Sequence, residues 1–201
     1  MSKVVLQTPL QKEDVAKLKI GEIVYINGVI FTMRDLAHLR LLQKLAKNEE
    51  PPENFFGAVI FHAGPVAKKQ DSNWVTSVIG PTTSMRMEPF SETILGKLGV
   101  KCLVGKGGMG KKTQEALIKY CGVYLLSPPG CAVIQAKSLQ KILRVHWLDL
   151  GMPEALWVIQ AENWGPLTVA MDAYGNNIFE EVKNRALNKI KQIYGETYCS
   201  V

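Results

Sequence analysis

Residues 101–126 alternate strand, glycine-rich loop, helix and strand, and that order constrains the fold more than anything else in the chain. Residues 101–104 are an apolar run of strand length, 112–120 carry apolar side chains at helical spacing, and 123–126 are a second apolar run. Two strands joined by a helical crossover lie in the same direction with both faces covered. The chain is therefore expected to be a mixed α/β fold with a partly parallel sheet.

The remaining pattern adds elements around that unit. Residues 22–33 read as a hairpin about Asn27-Gly28, a two-residue turn signal between β-rich runs. A helix follows over 33–48, with Ala37, Leu41 and Leu45 at helical spacing. Strands are expected at 58–62 and 74–79, and a helix at 89–98 closed by Gly99. Further strands fall at 141–147, 156–161 and 167–173, with 163–166 as a turn between the last two. An amphipathic helix spans about 178–194, with Phe179, Val182, Ala186 and Ile190 on one face. Neither a repeat nor a linker divides the chain, so residues 1–201 read as one domain.

At 201 residues and 47% hydrophobic, the chain can build a core without disulfides or metals. Its net charge of +6 favours anionic partners but does not choose among nucleic acid, phosphate esters and carboxylates. The N-terminus lacks the apolar core of a signal peptide. The longest charge-free stretch, 120–136, is interrupted by Ser127-Pro128-Pro129-Gly130 and is too short to span a bilayer. A cytoplasmic, membrane-free protein is expected. Cys102, Cys121, Cys131 and Cys199 form no C-x-x-C pair and no zinc-type cluster. Neither disulfides nor an iron–sulfur cluster held by this chain alone is expected.

Three places are suited to an anion. In Thr32-Met33-Arg34-Asp35, Thr32 and Asp35 have capping-box spacing, which puts Arg34 in the first turn of a helix. A cation there opposes the helix dipole, and a bound carboxylate would reverse that sign. The plain alternative is a surface arginine beside an acidic neighbour. In the run from Gly80 to Met87, Thr82, Thr83, Ser84 and Arg86 crowd a loop just past a strand. Such strand ends are where open α/β folds place ligands, although an ordinary helix-capping turn has the same composition. The third is Gly105-Lys106-Gly107-Gly108-Met109-Gly110-Lys111. It approaches a phosphate-binding loop, but Lys112 replaces the hydroxyl residue that would meet magnesium. A flexible glycine turn is the alternative. Among the histidines, His38 lies one turn beyond Arg34 and His62 ends a strand. Both are candidates, though a lone histidine is more often structural.

Taken in order, TMRDLAHLR, FHAGPV, GPTTSMRM, GKGGMG, HWLDLGMPEALWV and GPLTVAMDAYGNN resemble the β subunit of class I fumarate hydratase and of L(+)-tartrate dehydratase. The resemblance covers residues 3–180. It implies a three-layer β/β/α swivelling domain. It also implies an α subunit carrying a 4Fe-4S cluster, α2β2 assembly and a small dicarboxylate substrate, fumarate/malate or else tartrate. Carried over residue by residue, it implies that Arg34, Thr82, Thr83, Arg86 and Lys106 contact substrate and that Thr82 takes part in proton transfer, with His38, His62 and Gly107 as further candidates. No metal ligand and no nucleic-acid partner are implied for this chain. Two other readings stay open: an anion- or nucleotide-binding module, and a scaffold that only docks a partner.

Overall fold

The computed structural model describes residues 3–71, 73–139 and 141–194. In chain order it contains β1 (Lys3–Gln7), α1 (Lys12–Ala16), β2 (Ile23–Thr32), α2 (Asp35–Ala46), β3 (Val59–Phe61), β4 (Ala63–Gln70) and β5 (Asn73–Pro81). A 3-10 helix (Ser84–Phe90) and α3 (Ser91–Gly96) follow. Then come β6 (Cys102–Gly105), α4 (Lys111–Tyr120), β7 (Val123–Leu126), α5 (Ala132–Ser138), β8 (Lys141–His146), β9 (Leu156–Met171) and α6 (Ile178–Tyr194).

The fold is mixed α/β, and its sheet is partly parallel. Strands β1, β2, β3, β6 and β7 pair in parallel, in that order. Strand β9 runs antiparallel to β7 and to β2, which closes β2-β3-β6-β7-β9 into a ring. The antiparallel strands β8, β5 and β4 extend outward from β9.

Alternation along the strands sorts the apolar residues into two cores. Val59 and Phe61, Cys102 and Val104, Val123 and Leu125, and Trp157 and Ile159 face one cluster. The residues between them, Ile60, Leu103, Tyr124 and Val158, face a second cluster, which includes Ala37 and Leu41 of α2 and Ala116 and Leu117 of α4. Strands covered on both faces must be apolar at every position, which is why these runs lack the polar alternation of a half-exposed sheet.

Two expected turns are absent. Asn27-Gly28 does not close a hairpin, because β2 passes straight through it. Gly28, at φ +98°, sits against Thr8, where a Cβ would come within 2.3 Å of the Thr8 hydroxyl oxygen. Residues 163–166 do not separate two strands either. The register moves from Val24/Leu167 to Ile26/Trp164 and then to Gly28/Ala161, so β9 twice spends three residues against two of β2. The turn-forming residues Asn163 and Gly165-Pro166 form bulges that bend one long strand. Asn163, at φ +49°, is anchored there by its N–H on Asn27 Oδ1 at 2.7 Å.

Helix α6 runs over the span expected for it, but its apolar face is open. Phe179 packs at the edge of the second core, while Val182, Ala186 and Ile190 are exposed. Strands β1 and β4 and helices α1 and α5 were not expected from the sequence. Among the described residues, no helix is long and apolar enough to cross a membrane.

Candidate active site

The parallel strands end side by side, and their backbones stay bonded for a residue or two beyond the sheet. Met33 N–H donates to Phe61 O (3.0 Å), His62 N–H to Val104 O (2.8 Å) and Ser127 N–H to Gly105 O (2.8 Å). Thr82 N–H then donates to His62 O (2.7 Å), and Ser84 N–H to Lys106 O (3.0 Å). Thr83 and Lys106 form an isolated parallel bridge. All three suspected loops thus meet at the C-terminal edge of the parallel strands, where α/β folds place their ligands.

Side chains knit the same loops together. Arg86 Nη2 donates to Thr82 Oγ1 (2.8 Å) and pairs with Asp35 Oδ2 (3.0 Å), joining the Thr82 loop to the start of α2. Arg34 is the N-cap residue of α2, and its Nε lies 3.1 Å from Glu154 Oε1. That contact is ionic, since the Nε–H is not aligned for a hydrogen bond. The other Glu154 oxygen accepts Leu36 N–H at 2.9 Å. The expected capping box between Thr32 and Asp35 is therefore not formed. Thr32 is fully buried with its hydroxyl unpartnered, and Glu154 from the segment before β9 caps the helix instead. Among the described residues, Lys106 Nζ has no carboxylate within ion-pairing distance.

The glycine loop is not a phosphate cradle. Glu88 accepts Gly110 N–H (2.9 Å) and Thr113 N–H (3.1 Å), and also the Thr113 hydroxyl. Two backbone donors at the N-terminus of α4, those of Gly110 and Thr113, are already spent on an internal carboxylate. Magnesium–ATP is accordingly expected to show no micromolar binding in a calorimetric titration. Glu88→Ala should cost about 2 kcal/mol of stability through the lost charged cap. An E88A melting temperature equal to the parent's would contradict that assignment.

The two histidines lie beneath the loops, not in the open. His38 Nδ1 bonds Arg34 O at 2.9 Å, and its ring stacks on Phe90. His62 Nδ1 bonds Ser84 Oγ at 2.9 Å, and its buried Nε2 has no partner. The rings meet edge to face, 5.5 Å apart. Tyr124 donates from its hydroxyl to Gly107 O (2.7 Å), which steadies the glycine loop.

Burial, against the upward pull of Arg34 O and Asp35, brings the His38 imidazole from 6.5 down to about 4. Burial, with His38 nearby, also holds His62 well below its usual value. In the unfolded chain both take a proton near pH 6.5, so between that pH and 4 the unfolded state binds more protons. Stability should fall as pH drops through this window, by about 3 kcal/mol from His38 alone. Urea unfolding at pH 7 and pH 4.5 measures this, and His38→Gln should flatten the dependence. Equal midpoints at the two pH values would refute it.

Among the described residues, no three His, Cys, Asp or Glu side chains gather so as to hold a metal. Cys102 is buried in β6, where burial pushes its thiol far up, and Cys121 and Cys131 are free thiols elsewhere. Cys199 lies outside the described residues. These side chains do not fit an iron–sulfur cluster as ligands.

Residues 1–182 match the family described as fumarase C-terminus. The chain belongs to the fumarase C-terminus family. A Methanocaldococcus jannaschii protein provisionally named L(+)-tartrate dehydratase subunit beta is 46% identical over 92% of this chain and 96% of its own length. The L(+)-tartrate dehydratase subunit beta of Escherichia coli K12 is 42% identical over 90% of this chain and 89% of its own. A Geobacillus stearothermophilus protein provisionally named fumarate hydratase class I is 37% identical over 94% of this chain, which spans only 36% of that longer protein.

Within this fumarase C-terminus chain, Arg34, Thr82, Thr83, Arg86 and Lys106 are the candidates that the sequence singles out, and the fold brings their loops together. The acids beside them are not marked in the sequence: Asp35 has the spacing of a helix cap, and Glu154 and Glu88 stand in no motif. Glu154 lies 118 residues from its backbone partner Leu36, so no local pattern could reveal it.

Proposed function

We propose that this chain is the β subunit of a hydro-lyase that adds or removes water on a four-carbon dicarboxylate. One observation carries the reading: three cation-bearing loops, distant in sequence, are bonded to one another at one edge of the parallel strands. On this reading Arg34, Thr83, Arg86 and Lys106 bind and orient the carboxylates. Removing a proton beside a carboxylate builds negative charge on that group. Fixed cations stabilise the charge, each such contact being worth roughly 3 kcal/mol in the transition state.

Thr82 is assigned to the proton transfer. A threonine hydroxyl is a weak base, but the Arg86 guanidinium bonded to its oxygen favours the ionised form. His38 and His62 serve this site from below, and Gly107 shapes the loop that carries Lys106.

The reading includes an α subunit that carries the 4Fe-4S cluster, an α2β2 assembly working in the cytoplasm, and residues 1–201 acting as one domain. The two apolar cores, one between strands and one under helices, support a three-layer β/β/α swivelling arrangement. Fumarate and malate are the substrates first expected. L(+)-tartrate is the second reading, favoured by the names of relatives matched over nearly their full length. Turnover of (S)-malate against L(+)-tartrate by the complex assembled anaerobically distinguishes them, and a stable complex inactive on every diacid tested would overturn both.

A further inference from the structure

The internal carboxylate of Glu154 occupies the place where the start of α2 invites an anion. One of its oxygens lies on Arg34 Nε, and the other accepts Leu36 N–H. The acid thus links the side chain of residue 34 to the backbone two residues further on. Its support is rigid. Ala155 and Leu156, which follow it, are fully buried. Pro153, just before it, packs so closely on Gly64 that a Cβ there would come within 2.2 Å of the Pro153 carbonyl oxygen.

A guanidinium offers two edges for a carboxylate, one made by Nε with one Nη and one made by the two Nη groups. Glu154 Oε1 pairs ionically with the Nε end of the group without accepting its N–H. Among the described residues, neither Nη of Arg34 makes a hydrogen bond. Arg34 is about a quarter exposed, so the unused edge can be reached. Arg86 is held differently, through Nη2, by Thr82 and Asp35.

We propose that Glu154 is a positioning residue, which holds Arg34 by Nε so that its Nη edge is presented ready-oriented to a substrate carboxylate. The proposal rests on the hydro-lyase reading. Glu154 itself touches no substrate. Its contribution is to remove the rotational freedom that an unanchored arginine would lose on binding.

Glu154→Gln keeps the size and an oxygen for Leu36 N–H, and removes the charge that holds Nε. In the assembled αβ complex, kcat/KM should fall about thirtyfold, mostly as a rise in KM. In an Arg34→Ala background the same change should alter kcat/KM less than about twofold, because the group being positioned is gone. The melting temperature of the β chain should shift by no more than about 2 °C in either background, since Gln keeps the bond to Leu36 N–H and the ion pair is partly exposed. E154D, one methylene too short for Arg34, is the second variant, with an expected loss in kcat/KM of at least about threefold.

An E154Q effect that multiplies fully onto R34A would overturn the proposal and leave Glu154 as a helix cap. A lower KM in E154Q would also overturn it, because Glu154 would then be a competitor of the substrate. Failure of the underlying reading looks different: the unaltered complex turns over no diacid, or R34A retains full activity, and the proposal falls with it.

Discussion

Arg86→Ala is expected to lower kcat/KM of the assembled complex about a thousandfold. The melting temperature of the β chain should change by no more than about 2 °C. The asymmetry follows from the surroundings of Arg86. Its side chain is nearly half exposed and its partner Asp35 more than a third, so the ion pair contributes little to folding. Functionally the residue has three attachments. On the proposed reading it clamps substrate and favours ionisation of Thr82, to whose Oγ1 it donates, and it ties the Thr82 loop to the first residue of α2. Alanine removes all three at once. Lysine would restore a charge but not the planar fork that can serve Thr82, Asp35 and a carboxylate together, so R86K should recover less than a tenth of the lost activity. A decrease below tenfold in R86A would remove Arg86 from the site, and the hydro-lyase reading would lose its central residue.

The parts of this architecture legible in the sequence are those set by local periodicity. Strand β7 and helix α6 have the bounds their patterns suggested, because an apolar run between turn residues and a 3.6-residue repeat need no knowledge of neighbours. The bulges at Gly28 and residues 163–166 were legible as places of unusual backbone but not as bulges. Glycine and asparagine report a tolerance for positive φ, and whether the chain reverses there depends on a partner strand. Here β9 offers hydrogen bonds to β2 on both sides of Gly28, so neither strand turns. The amphipathic pattern of α6 likewise gave the helix without telling what faces its apolar side. At the site, the cations stood out because arginine or lysine beside a helix start or a glycine loop is locally unfavourable without an anion. The acids that answer them did not. Glu154 and Glu88 look like ordinary surface residues until the fold places them on helix N-termini far along the chain.

Gly105→Ala is expected to damage both the packing beneath the site and the activity. Gly105 is the last residue of β6, buried where the loops converge. A Cβ there would lie 1.8 Å from Ser84 Oγ and 3.2 Å from His62 Nδ1. Ser84 is fully buried, its backbone is tied by its N–H to Lys106 O, and its hydroxyl can swing aside only by leaving His62 Nδ1. Relief requires breaking the Ser84–His62 bond or moving the strand end that carries Lys106. Overpacking together with an orphaned buried hydroxyl should cost about 4 kcal/mol, a fall of about 8–16 °C in melting temperature. The same displacement would disturb the pairing of Lys106 with Thr83, so activity should be lost even in the fraction that stays folded. Gly107→Ala is the control. Its φ of +74° strains an L residue, but a Cβ there meets nothing within 4 Å, so about 1 kcal/mol should be lost and the packing beneath the site kept. Thermal melts of the two variants, with turnover of the assembled complexes, decide the matter. If G105A is no less stable than G107A, the contact among β6, Ser84 and His62 is not what aligns the loops, and another device must hold Lys106 beside Thr83.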